Sequence, residues 1–307
     1  MGIMETAAIS TVDLATRPHH LDLGRIAIFR PLGLEGLLTA TPALRALRTA
    51  LPEAEVTYIG DEESAEAVGR FPDYIDDCML CPPYPGLQEG ASDADSVLGF
   101  LQKAQDRRFD LAIQLHGCGL ISNPLSALLG ARHTAGFYLR GQYCPDPEMF
   151  LIYPWHLPEV HRPLQLLEAL GIPAQGMDLE FPLQPEDLEL RCRLKRLYGL
   201  QTLEYACPQP ATISAEGVWP VESFAALADE LEDREVPVVL IGRRAEPGLT
   251  RQVASAMRTA CIDLGGPGHA RDDRPRAAEI WAAGHSTTGL GRSQAGPGIL
   301  LSVEVGR

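Results

Sequence analysis

Apolar positions along the chain follow two alternating periods. Short runs of consecutive apolar and β-branched residues are each followed by a segment whose apolar residues recur every three or four positions. Arg25–Arg30 is a short apolar strand, and Gly36–Ala50 carries Leu37, Leu38, Leu44 and Leu47 at helical spacing, stopping before Pro52. Pro42 within that helix predicts a kink or a late helix start. The pattern continues with a strand at Glu55–Gly60, a helix at Glu62–Arg70 and a strand at Tyr74–Leu80. After the Pro/Gly loop Pro82–Gly90 come a helix at Asp93–Arg107, a strand at Asp110–Leu115, a helix at Asn123–Leu129 and a strand at His133–Tyr138. Strands alternating with helices predict an α/β fold with a mostly parallel sheet covered on both faces.

A helix at Glu159–Leu170 leads through Gly171–Ile172–Pro173 into a second half. There the pattern predicts a helix at Pro185–Tyr198, a weak strand at Leu203–Cys207 and an amphipathic helix at Val221–Arg234. A buried strand at Val236–Gly242, a helix at Glu246–Met257 and a strand at Ala260–Leu264 complete it. Two α/β halves predict a ligand cleft at the C-terminal ends of the strands. The expected organisation is a disordered leader over 1–24, a first domain with its linker helix over 25–172, a second, incomplete domain over 173–266, and a divergent tail over 267–307. In that tail only Ile299–Val305 reads as a strand.

Charge and cysteine content narrow the chemistry. The 307 residues carry a formal net charge of −15, which argues against a nucleic-acid partner, because contact with a phosphate backbone needs a basic surface. The seven scattered cysteines read as reduced thiols, not a disulfide frame. Cys78 and Cys81 form a C-x-x-C pair, but no second pair follows at zinc spacing, so incidental strand-end cysteines are expected and no metal site is assigned. No apolar run reaches the roughly 18 residues needed to span a bilayer.

The stretch FRPLGLEGLLTATPALRAL, residues 29–47, joins a strand to a helix through a glycine-containing turn with one carboxylate, Glu35. Strand, turn and helix of this kind form phosphate and nucleotide sites. Arg30 ends the strand, where a guanidinium can hold a phosphate with two parallel hydrogen bonds. His116 and Gly117 follow DLAIQL at the end of another strand, the edge where open sheets bind ligands. Asn123 is expected as the N-cap of the next helix, and Tyr138 and Arg140 end the strand after it.

The run from Arg25 to Gly266 resembles glycosyltransferase family 9, the heptosyltransferases of lipopolysaccharide core assembly. The resemblance rests on an ordered set: TPALRALRTALPEAEVTYIG, FPDYIDDCMLCPPYPGL, FDLAIQLHGCGLISNPLSALLGARHTAGFY, YCPDPEMFLIYP, HRPLQLLEALGIP, VWPVESFAALADELEDREVPVVLIG and DLGG. It implies a GT-B fold of two Rossmann-like domains with parallel sheets. It also implies inverting transfer of a heptose or related sugar from ADP-heptose to a lipid-linked, phosphorylated saccharide acceptor. The donor is then a substrate; no cofactor and no metal are implied. The implied place of work is the cytoplasm, with peripheral contact at the inner membrane.

The chain departs from the family at four points. The family's Gly-Asp turn, whose Asp is the presumed general base, aligns with Glu35–Gly36, so Glu35 is the candidate catalytic carboxylate and Gly36 a substrate-binding position. A base there must reach the hydroxyl it deprotonates, at about 2.6–3.2 Å. At the start of the second half, Gln209–Pro210–Ala211–Thr212 stand where His-Pro-Gly-Ala is common. Gly217 stands where a cation precedes Trp219–Pro220; Trp219 remains a substrate-binding candidate, and Arg243 and Arg244 read as exposed loop residues. Ser286–Thr287–Thr288–Gly289 align with Asn-Asp-Thr-Gly, leaving Thr288 and Gly289 as donor-diphosphate candidates. Finally, the text after Gly266 is rich in Arg, Gly, Ala and Pro. Either a frameshift near the codons for Gly266–Pro267 or a native divergent tail accounts for it; the frameshift is the preferred explanation. These departures keep open an alternative in which the chain is an inactive relative, or a frameshifted product, that retains only an acceptor-like binding domain.

Overall fold

The computed structural model describes residues 23–88, 91–199, 205–208, 210, 219–242 and 248–265. The chain divides into two compact units, with the division between Glu180 and Phe181.

The first unit is built on a six-stranded sheet in which every neighbouring pair is parallel. Its elements in chain order are β1 (Arg25–Phe29), α1 (Gly33–Ala50), β2 (Glu55–Gly60), α2 (Glu62–Val68), β3 (Asp77–Leu80) and α3 (Ala94–Asp106). They continue with β4 (Leu111–Gln114), α4 (Ser122–Leu128), β5 (His133–Tyr138), β6 (Phe150–Ile152) and α5 (His161–Ala169). The strand order is β3-β2-β1-β4-β5-β6. Ile26, Ala27, Ile28 and Phe29 of β1 are all buried, and so are all four residues of β4. A strand covered on both faces has no polar side to show, which is why these runs are apolar except for buried Gln114. Phe29 and Ala27 pack with Ile59, Phe100, Phe109 and Leu125 in one core cluster.

Helix α1 begins three residues earlier than the apolar period indicates and runs unbroken through Pro42. Pro42 has no N–H for the Leu38 carbonyl four residues back. The Thr41 hydroxyl donates to that carbonyl instead, at 2.9 Å, so the carbonyl is satisfied and the helix continues. Thr41 also accepts from the Glu180 N–H at 3.1 Å. Strand β6 has no counterpart among the sequence expectations. It is three residues long, too short for a periodic signal.

The second unit contains α6 (Pro185–Leu197), α7 (Val221–Asp233), β7 (Val239–Leu240), α8 (Leu249–Ala256) and β8 (Ile262–Asp263). β7 and β8 pair in parallel, and Ala206 forms an isolated parallel bridge with Val238. Alternate residues of Val238–Ile241 face opposite sides. Val239 and Ile241 meet Leu190 and Leu194 of α6; Val238 and Leu240 meet Phe224, Ala228 and Val253 of α7 and α8. Buried Asp229 of α7 accepts from the N–H groups of Arg258 and Thr259 and from the Thr259 hydroxyl. This ties α7 to the chain leaving α8.

Candidate active site

Between β1 and β4 the strand order reverses direction, so the chain leaving β1 and the chain leaving β4 diverge at the C-terminal edge of the sheet. Such a switch point is where open α/β sheets bind ligands. The segments leaving there are Arg30–Leu32 and Leu115–Ile121; they carry Arg30, His116 and Gly117, and Glu35 and Gly36 follow in the first turn of α1.

The turn after β1 is fastened from three sides. The Arg30 carbonyl accepts from the Leu32 N–H at 2.9 Å and from the hydroxyl of fully buried Tyr58 at 3.0 Å. Gly33 takes φ +60°, and its N–H donates to Asp61 Oδ2 at 2.7 Å. The other oxygen of Asp61 caps α2 through the Ser64 N–H at 2.9 Å. One carboxylate thus joins the N-termini of two helices, where the helix dipole favours negative charge. The left-handed conformation that the turn needs is supplied by Gly33, not by a glycine at position 35. Asp61 and Tyr58 were not singled out from the sequence; the N-cap pattern of Asp61 before Glu62–Val68 was the available signal.

Arg30 is 1% exposed. Its Nε donates to the Gly36 carbonyl at 2.7 Å and its Nη1 to the Leu115 carbonyl. Its Nη2 donates to Thr39 at 2.8 Å and to Glu159 Oε1 at 2.9 Å. The guanidinium is enclosed and occupied by protein acceptors, so Arg30 locks the turn to α1, to the β4 exit and to Glu159.

Glu35 is exposed in the first turn of α1. Gly36 is buried behind it, and a Cβ placed there would lie 2.6 Å from Leu32 Cβ. Gly36 therefore acts through its carbonyl as an anchor for Arg30. The first helical turn offers its carboxylate at position 35, and an aspartate at 36 would require Leu32 to move.

His116 is half-buried at the start of the loop after β4, and its imidazole is held to the Pro31 carbonyl. Burial, then the Arg30 charge, depresses its pKa to about 4, against the smaller opposing effects of Asp61 and Glu159. The ring is consequently neutral at physiological pH. Its Nδ1 is enclosed and has no hydrogen-bond partner. The His116 carbonyl accepts from Gln114 Nε2 at 2.6 Å and from the Ser122 hydroxyl at 2.9 Å, which fixes the loop. Gly117 adopts φ +59° with open space where a Cβ would stand. Asn123 lies inside α4, not at its cap; fully buried, it donates to the Phe137 carbonyl at 2.8 Å and ties α4 to β5.

The remaining candidates lie elsewhere. Trp219 is in the second unit, half-buried and edge-on to Phe224 at 5.1 Å between centroids, so its ring packs against that unit's core. Thr288, Gly289, Gln209, Gly217, Arg243 and Arg244 lie outside the described residues. Burial raises the Cys78 thiol and pushes Cys81 up to about 12, with nearby Asp77 and Asp61 adding to the shifts at Cys78 and Asp61 alone adding at Cys81. Thiols this weakly acidic are poor nucleophiles. Among the described residues no group of three or more His, Cys, Asp or Glu is arranged to hold a metal.

A sheet in Rossmann strand order, followed by a second α/β unit, defines a GT-B type α/β protein. The sequence model of glycosyltransferase family 9 (heptosyltransferase) matches residues 97–268, more than half of the chain. The chain belongs to that family. Three solved structures share its fold. A family 9 glycosyltransferase from Veillonella parvula superposes with a TM-score of 0.61 at 21% identity, covering 86% of this chain and 75% of that one. The Escherichia coli ADP-heptose lipopolysaccharide heptosyltransferase II gives 0.59 at 16%, covering 84% and 76%. E. coli heptosyltransferase WaaC, solved with ADP, gives 0.56 at 17%, covering 84% and 79%. No curated protein matches the chain in a sequence search. No helix among the described residues is long and apolar enough to cross a membrane.

Proposed function

We propose that this chain is an inverting sugar transferase that moves a heptose, or a closely related sugar, from ADP-heptose to a phosphorylated, lipid-linked saccharide of lipopolysaccharide-core type. The acceptor is presented at the cytoplasmic face of the inner membrane. The observation that carries the reading is an exposed carboxylate, Glu35, in the first turn of α1 at the switch point of the sheet. Glu35 takes the proton of the acceptor hydroxyl. That oxygen attacks the anomeric carbon from the face opposite the diphosphate, and ADP leaves with the electron pair of the broken bond. Neutral His116 and the open crest at Gly117 contact the acceptor, while Arg30 and Gly36 hold the turn rigid. Membership of family 9, and the ADP-heptose and ADP of the two E. coli neighbours, support this choice of donor.

The enclosed Arg30 and the closed space at Gly36 favour a second reading, an inactive relative that binds saccharide without transferring to it. One assay separates the two. Transfer from ADP-heptose to a truncated core acceptor should be measured for wild type, Glu35→Ala and Glu35→Gln. The transferase reading expects turnover that falls about 100-fold or more in both variants, the typical contribution of a general base. Turnover unchanged by either substitution sinks Glu35 as the base. Acceptor binding without any turnover establishes the second reading.

A further inference from the structure

The loop that follows β6 leaves the same C-terminal edge of the sheet as the turn after β1. It carries Trp155, 69% exposed, a ring that the proposed mechanism does not use. Its backbone is held tightly: the Tyr153 N–H donates to the Tyr138 carbonyl at 2.9 Å and the Trp155 N–H to the Tyr153 carbonyl at 3.1 Å. The Trp155 ring stands edge-to-face with the Tyr153 ring, with centroids 4.8 Å apart and planes at 75°. Tyr153 is itself buried, edge-on to Phe137 at 5.7 Å, and lies beneath the Arg162 guanidinium at 4.8 Å. Arg162 donates to the Tyr153 hydroxyl and to Glu159 Oε2; the other oxygen of Glu159 accepts from Arg30 at 2.9 Å. An unbroken series of contacts therefore runs from the exposed indole through Tyr153, Arg162, Glu159 and Arg30 to the Gly36 carbonyl, beside Glu35.

We propose that Trp155 is the stacking platform of an acceptor subsite, taking a sugar ring of the saccharide acceptor on its free face. A pyranose presents a face of C–H bonds bearing slight positive charge, which suits the electron-rich face of an indole. An exposed ring normally loses rotational freedom when it binds. Here much of that freedom is already removed by Tyr153, so the ordering cost is small. This series of contacts makes Arg162 and Glu159 positioning residues, which set the Trp155 loop and the α1 turn against each other.

This inference rests on the reading of the chain as a saccharide transferase. The test is equilibrium binding of a deacylated, phosphorylated core oligosaccharide, followed by saturation-transfer NMR and calorimetry. It uses the full chain as wild type, Trp155→Ala, Trp155→Phe and Glu159→Gln, with ADP binding and thermal melting as controls. Trp155→Ala should weaken oligosaccharide binding about tenfold while ADP affinity and melting temperature stay unchanged. Trp155→Phe should recover most of the affinity. Glu159→Gln should lower kcat more than it raises KM, because it loosens the turn without removing the platform. Equal oligosaccharide affinity in wild type and Trp155→Ala overturns the subsite and leaves the transferase reading intact. Absence of oligosaccharide binding by wild type overturns the acceptor reading, and the subsite with it.

Discussion

His116 links a local environment to a measurable property of the folded chain. Its ordinary pKa of about 6.5 falls to about 4 through burial and the neighbouring Arg30 charge, with Asp61 and Glu159 pulling the other way. An unfolded histidine takes up its proton as pH drops through about 6.5, while the folded ring resists until about 4. The stability contributed by this residue is therefore full above pH 6.5 and is lost as pH falls towards 4. Between pH 7.5 and 5 the loss should be about 2 kcal/mol. Urea unfolding of wild type and His116→Gln at both pH values checks it, since the variant should lack that part of the pH dependence. An identical slope in the two proteins would show that another group titrates. The position of His116 at a strand end was legible in the sequence, but its neutral state was not. That state depends on Arg30, 86 residues away in the chain. Arg30 shows the same limit. Its place at the end of β1 was visible, whereas its enclosure is created by acceptors from α1, β4 and Glu159, which only folding brings together.

Among the elements, α1 departs furthest from its sequence pattern. A proline in the tenth position of an eighteen-residue helix should end or kink it. The helix persists because Thr41 replaces the missing donor, and because Leu37, Leu38, Leu44 and Leu47 are buried along it. Thr41→Val keeps the shape but removes the donor to Leu38 and the acceptor for Glu180, so both backbone groups lose these partners. It should cost about 1–3 kcal/mol, read as a lower melting temperature, with Thr41→Ser restoring most of the loss. A Val variant as stable as wild type would mean that water satisfies both groups. The strands β2 and β5 match the expected residues because short runs with β-branched and aromatic residues carry a local signal. β6 was missed because its three residues form a strand only through pairing with β5, a long-range condition.

At the scale of the whole molecule, the alternation of strands and helices specifies an α/β protein, and family 9 membership specifies its class. On the proposed reading as an inverting transferase with no metal in the reaction, the initial rate should be kept in excess EDTA. Transfer from ADP-heptose measured with and without the chelator tests this, and a rate restored only by a divalent cation would assign a metal to the reaction. The order of the elements apart from β6, their apolar faces, the family resemblance and the replacement of Gly-Asp by Glu35–Gly36 were all legible in the sequence. These follow from local period and local text. The strand order that creates the switch point, the enclosure of Arg30, the closed space at Gly36, the join that Asp61 makes between two helices, and the exposure of Trp155 emerge only on folding. Each of these depends on groups far apart in the chain meeting at one edge of a sheet. Such meetings are fixed by how apolar faces pack, and no single stretch of sequence carries them.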